Sequence, residues 1–242
     1  MSERDGLKSL AEICTADFRN TCYVRINRQT GEQRPVTLED HHAAIEFYSL
    51  HEDVPSDIAT QYDVARNLYL YSWFEYRFFN VAEASVLNSL ELAMKERVGA
   101  EEVERYLKWR NNEHKAKTGK KGGVRKGMKT LIEYCRDHEL IRNEGFTQWQ
   151  QHATMLAYSR AQNEQHQWAV AEMERTGAAE IALPDIELEQ LPPDPDYDHV
   201  QYLIDCTNKK RNIYSHGSTM LHNQVLGSFE MVSEFINQLY PS

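Results

Sequence analysis

Three side chains near the C-terminal end of the chain can together move a proton and hold a phosphate. They are Arg211, Asn212 and His216, within the stretch Lys209-Lys210-Arg211-Asn212-Ile213-Tyr214-Ser215-His216-Gly217-Ser218. An imidazole titrates near neutrality and serves as general base or general acid. A guanidinium grips two phosphate oxygens at once and offsets charge that develops in a transition state. Neither task needs a metal. Lys209 and Lys210 add positive charge beside the set.

Two amphipathic segments must position these groups, one over 197–214 and one from Ser218 to Leu239. Gly217 suits the residue after a helix end, where positive φ is needed, and Ser218 is a good N-cap for the final helix. Asn212 and His216 are four apart and share a helix face. Arg211 lies about 140° around from His216, and its long side chain still reaches the same corner. The competing reading is that Arg, Asn and His merely satisfy helix-terminal carbonyls. Spacing alone is weak, because Arg34–His41 and Arg160–His166 match a similar pattern. Only the third pair has Asn after the Arg, a Gly corner after the His and amphipathic segments on both sides.

At 242 residues, 41% of them apolar, the chain can bury a sizeable core. It opens Met-Ser-Glu-Arg-Asp, which is no signal peptide, and no apolar run is long enough to span a membrane. Cys14, Cys22, Cys135 and Cys206 are scattered and read as reduced thiols of a cytoplasmic protein. A formal charge of −10 argues against indiscriminate coating of nucleic acid. The charge is uneven, however. Seven Lys/Arg and no acid lie between Lys115 and Lys129, and seven Asp/Glu without Lys or Arg lie between Glu180 and Asp198.

Residues 1–20 carry a short helical pattern. Tyr23–Ile26 and Val36–Leu38 flank Gln29-Thr30-Gly31-Glu32 and read as a hairpin, and Thr37 or Asp40 then caps a helix. His41, His42 and Glu46 have a metal-like spacing, but adjacent histidines point to different sides of a helix. A solvated helix start is the favoured reading over a metal hydrolase. From Ile58 to Val98 there is no Pro or Gly, and apolar residues recur at helical spacing, so one long helix or two in line is expected, with a break near Asn80. Its aromatic cluster, Tyr69 to Phe79, reads as core or interface rather than as a base-stacking platform. Glu91 sits among Leu87, Leu90 and Met94, where a lone carboxylate is costly. It pairs either with Lys95 or with a cation from another helix, for which Arg211 is the candidate. Glu101–Asn112 and Met128–His138 read as short helices around a flexible basic loop. That loop offers Lys120, Lys121, Arg125 and Lys126 as phosphate contacts. It is not a Walker A loop, because no Gly-Lys-Ser/Thr closes the frame. Phe146 to Thr176 is helical but weakly amphipathic, and 177–198 is an acidic, Pro-rich loop.

Arg211-Asn212-x-x-x-His216-Gly217-Ser218 before a final helix resembles the signature of the HEPN superfamily. The likeness extends to the helix from Tyr71 through Arg97 and to Lys129-Thr-Leu-Ile-Glu-Tyr-Cys135. It covers about half of the chain, mainly 57–140 and 196–240. The resemblance implies an all-α, up-and-down helical bundle of HEPN type, here with a small N-terminal hairpin and a long helical insertion. Residues 1–55 are then an N-terminal extension, and 56–242 form the bundle with an inserted segment at about 143–195. It also implies a metal-independent endoribonuclease, a toxin or phage-defence effector, that works without a cofactor. His216 and Arg211 match the family's catalytic pair, and Asn212 matches the polar residue that follows the arginine. Glu91 supports them, and Lys209, Lys210, Lys120, Lys121, Arg125 and Lys126 contact RNA. A homodimer bringing two motifs to one cleft is expected, with an antitoxin or regulatory protein as a further partner. Ser218 stands where relatives paired with a nucleotidyltransferase antitoxin often carry Tyr, which speaks against that kind of partner. The alternative is an inactive HEPN-like module that binds nucleotide, RNA or a protein.

Overall fold

A computed structural model describes residues 6–27, 30–120, 123–215 and 221–241, with side chains of the penultimate helix described through Thr207. The described residues are mostly helical, with one two-stranded antiparallel hairpin near the N-terminus. The chain divides into two compact units, residues 1–141 with 204–242, and residues 142–203. Residues 1–55 therefore belong to the first unit.

The helical pattern expected over residues 1–20 reduces to turns and one short helix, α1 (Phe18–Thr21), capped by Asp17. The hairpin pairs β1 (Val24–Ile26) with β2 (Gln33–Pro35), with Arg25 opposite Arg34. The second strand ends before Val36, earlier than expected, because Thr37 and Asp40 form a reciprocal capping box that opens α2 (Leu38–Glu46). Arg34 and Arg25 both bind the Asp40 carboxylate, so the like charges of the hairpin converge on one acid and hold it well below the usual carboxylate range.

The Pro- and Gly-free stretch is two helices, α3 (Ser56–Tyr71) and α4 (Phe78–Val98), which fold back and pack along one another. They are not in line, and the break covers 72–77 rather than Asn80. The reason is long-range. Asn20 Nδ2 donates to the carbonyls of Ser72 and Trp73 at 2.8 and 3.1 Å. The Asp17 amide donates to the Trp73 carbonyl at 2.9 Å, and its carboxylate accepts from the Tyr76 amide at 3.2 Å. Backbone groups that a continuous helix would satisfy internally are taken by buried residues from 17–20.

His41 joins this corner. Its Nε2–H donates to the Tyr69 carbonyl at 2.8 Å, its ring stacks on Tyr69 at 4.3 Å, and it is buried. The solvated helix start expected at His41-His42 is thus corrected for His41, whose burial lowers its pKa. Tyr69, Trp73, Tyr76 and Phe79 are likewise buried, with Phe79 edge-on to both tyrosines, as core aromatics.

Helix α5 (Ala100–Thr118) and helix α6 (Met128–Asp137) come next, with Leu131, Ile132 and Cys135 of α6 buried. Arg110 of α5 meets the buried Glu133 of α6 at 3.1 Å. The first unit closes with α9 (Leu226–Leu239), whose Phe229, Val232, Phe235 and Ile236 are fully buried and whose main neighbour is α4. The start expected at Ser218 moves to Leu226, since 221–225 are not helical. Within α9, Asn237 accepts from the His51 amide and donates to the Ser49 carbonyl, tying the α2–α3 connection to the last helix.

The second unit is built on α7 (Thr147–Thr176), along which the acidic Pro-rich segment lies without regular structure. Trp149 Nε1 donates to the Tyr197 carbonyl at 2.9 Å, and Thr154 Oγ1 accepts from the Leu191 amide at 2.9 Å. His152 stacks on Tyr197, whose hydroxyl lies 3.1 Å from Nδ1 of the buried His199. Helix α8 (His199–Ser215) begins here and supplies Ile204 and Thr207 as buried residues of the first unit.

Two outcomes are expected. Asn20→Ala takes a buried donor from the Ser72 and Trp73 carbonyls, at a cost of roughly 2–4 kcal/mol in chemical denaturation. Burial pushes His199 down to about 4. A depressed imidazole contributes stability that is full above its unfolded value, about 6.5, and is lost as pH falls toward about 4. In an NMR titration the His199 ring should stay neutral through pH 5, while the thermal midpoint falls over the same window.

Candidate functional site

The run that combines Arg, Asn and His at a helix end is carried by α8. The backbone of Lys209, Lys210, Arg211 and Asn212 is helical, and the helix ends at Ser215, so Arg211 and Asn212 lie in its last turns. Their side chains, and His216 with the Gly217-Ser218 corner, lie outside the described residues. So does Lys121. Described residues flank this stretch in sequence, Asp205 before it and His222 after it, and each meets a residue of another element.

On one side lies a buried carboxylate. Glu83 of α4 is 1% exposed. It occupies the same row as Leu87, Leu90 and Met94, four, seven and eleven residues on, and that row faces the core. A carboxylate there needs partners, or its desolvation outweighs anything it adds. Ser228, near the start of α9 and itself buried, donates its hydroxyl to Glu83 Oε1 at 2.5 Å. His222, from the non-helical 221–225 segment, places Nε2 3.4 Å from Glu83 Oε2, with a quarter of its side chain exposed. The residues after the Arg211–His216 stretch are thus drawn onto α4 by a single acid. Chemically, a histidine whose Nε2 faces a buried carboxylate is held in orientation.

The same reasoning applied to Glu91 finds a different arrangement. Its side chain is 14% exposed and meets Lys95 at 2.7 Å, one turn along α4. The Arg211 side chain, the other cation considered for it, lies outside the described residues. Glu83 is the acid on the buried row that the sequence pattern could have singled out. Its spacing from Leu87 and Leu90 is the signal.

On the other side lies the basic segment. Lys120, Arg125 and Lys126 are exposed. The segment is pinned rather than free along its described length. Asn111 of α5 donates to the Val124 carbonyl at 3.1 Å and accepts from the Val124 amide at 3.2 Å. Thr130 Oγ1 donates to the Arg125 carbonyl at 2.7 Å. Gly123 sits at φ 134°, with space so tight that a Cβ would come within 2.7 Å of the His114 ring. Lys129, where α6 begins, then meets Asp205 of α8 at 3.7 Å.

The His41, His42 and Glu46 group is not assembled as a metal site. His41 turns inward to Tyr69, whereas His42 Nδ1 lies 3.7 Å from Glu46 Oε2 on the exposed side. No cluster of three or more metal-ligating side chains occurs among the described residues. No helix among them is long and apolar enough to cross a membrane.

Comparison with protein-family models, with curated proteins and with solved structures found no match to this chain.

Removing the Glu83 carboxylate takes a buried partner from both Ser228 and His222. Glu83→Ala is expected to cost about 3–5 kcal/mol in denaturant unfolding. Glu83→Gln keeps an acceptor for Ser228 and should cost less.

Proposed function

We propose that this chain is a metal-independent endoribonuclease of HEPN type, acting in the cytoplasm as a toxin or phage-defence effector. The observation that carries the reading is the contact between Lys129 and Asp205. It brings the end of the basic segment against α8 six residues before Arg211, about 9 Å along the helix axis. That contact supports reading the phosphate-binding charge and the proton-transfer motif as parts of one site.

In the reaction, an RNA 2′-hydroxyl loses its proton to an imidazole and attacks the adjacent phosphorus. The bond to the 5′-oxygen breaks, and that oxygen takes up a proton. His216 serves as base or acid, and Arg211 holds the non-bridging oxygens as negative charge grows on them. Asn212, on the face of His216, adds a neutral donor. Glu91 supports the motif from α4. Lys209, Lys210, Lys120, Lys121, Arg125 and Lys126 draw the phosphodiester backbone to an otherwise acidic molecule. Two copies of the chain supply two imidazoles, one as base and one as acid, and a regulatory protein or antitoxin restrains them. No cofactor is required.

The test is incubation of purified protein with mixed RNA in EDTA, beside His216→Ala. Cleavage should leave 2′,3′-cyclic phosphate and 5′-hydroxyl ends, and the variant should be about 10²–10⁴-fold slower. Equal cleavage by both proteins sinks the assignment of His216. No cleavage by either favours a module that binds nucleotide, RNA or a protein without cutting.

A further inference from the structure

Helix α7 carries a face that the second unit leaves open. Of its 30 residues only Ala169 is buried, although a helix in a folded protein is held mainly by the face it packs. One side is taken by the chain that returns along it. Thr154, Met155, Tyr158 and Ser159 line a cavity there together with Ile186 and Leu188. At 100° per residue, Arg160 and Glu164 point to the opposite side of the helix, about 170° around.

On that side Leu156, Arg160, Glu164 and Trp168 stand at intervals of four, which makes them one ridge of the helix surface. All four are exposed, Leu156 at 42% and the Trp168 indole at 48%. Arg160 and Glu164 make no ion pair among the described residues, with each other or with a neighbour. An acid placed four residues after its cation is the weaker order for a pair within one helix. Both charges are therefore available to another chain. The ridge is also its own complement when reversed. Its midpoint falls at the level of position 162. A second copy running antiparallel about a two-fold axis there sets Leu156 of each copy against Trp168 of the other. The same operation sets Arg160 of each copy against Glu164 of the other, giving two ion pairs flanked by two apolar contacts. A parallel copy would instead set arginine against arginine and glutamate against glutamate.

We infer that this ridge of α7 pairs antiparallel with the same ridge of a second copy of the chain. Ridges of this kind interlock in the commonest class of helix packing, so the backbone needs no adjustment to bring them together. The contact covers about 18 Å of helix, which places it among weak, reversible associations. It uses none of the Arg211, Asn212 or His216 side chains, so it stands or falls apart from the ribonuclease reading.

The experiment is sedimentation velocity of the full chain from micromolar to near-millimolar concentration. The chain should associate reversibly as concentration rises. Arg160→Glu alone, or Glu164→Arg alone, turns two attractive pairs of the dimer into two repulsive ones, and each should raise the dissociation constant about ten-fold. An equimolar mixture of these two variants restores both pairs between unlike copies and should associate as tightly as the parent chain. That recovery also shows that each variant is folded. Trp168→Ala, at a half-exposed position, should weaken association about ten-fold or more while the thermal melt stays that of the parent. A chain that remains monomeric throughout overturns the proposal. Self-association indifferent to both charge reversals assigns the contact to another face and refutes the pairing. A mixture that fails to recover, when both variants melt as the parent does, refutes the antiparallel register and leaves the ridge to a different partner.

Discussion

A buried carboxylate constrains the first unit where its last helix docks. Glu83 lies on a row of α4 that otherwise holds leucine and methionine, and Ser228 and His222 both reach it. Those two residues bracket the start of α9. The acid therefore sets where the last helix begins relative to α4. An apolar residue at position 83 would pack more cheaply, since buried ion pairs seldom outdo well-packed hydrophobes in stability. Its use here is directional. It specifies one docking of α9 on α4 where dispersion forces alone would accept several.

The second constraint acts at the α3–α4 corner. Nothing in the sequence from Ile58 to Val98 interrupts a helix, and local propensity alone would run it straight through. The corner forms because Asp17, Asn20 and His41 capture its backbone groups, and those residues lie roughly 30 to 60 positions earlier in the chain. Residues 1–55 accordingly share the first unit with α3 and α4. The periodic stripes that face the core, such as Ile58, Tyr62, Ala65 and Tyr69, were legible, because a helix advertises its buried face every three or four residues. The long α7, the acidic connection after it and the hairpin were legible for similar local reasons. The fold-back of α3 on α4 was not, since its cause is a tertiary set of hydrogen bonds with no local signature.

The candidate site divides along the same line. Arg211 and Asn212 at the end of a helix follow from local pattern, and α8 carries them in its last turns. The acid is harder to place. Spacing points to Glu91 as the carboxylate on an apolar row, yet that residue stands at the row's edge and reaches Lys95. Glu83, two turns earlier and in register with Leu87 and Leu90, is the one sealed from water. The difference is a rotation of about 80° around the helix, which residue spacing gives only when the packed face is known to that resolution. Likewise the basic segment reads from composition as a solvated loop, whereas Asn111, Thr130 and Asp205 hold its backbone or its end at defined points.

That tethering bears on how a molecule of net charge −10 can meet an anionic polymer. Charges separated by more than a Debye length, about 8 Å at physiological ionic strength, are largely screened in water. The many acids elsewhere in the sequence therefore need not repel a phosphodiester at the basic segment. What matters is that the cations stay grouped. A freely moving loop would spread its lysines over a wide volume and dilute their potential. Fixed at Val124 and at Lys129, the segment keeps Arg125 and Lys126 close to one stretch of backbone. Under the proposed reading, local order in the loop and the short span along α8 from Asp205, which Lys129 meets, to Arg211 are two halves of one requirement. Phosphate must be held within reach of the group that moves the proton, and net charge has little say in it.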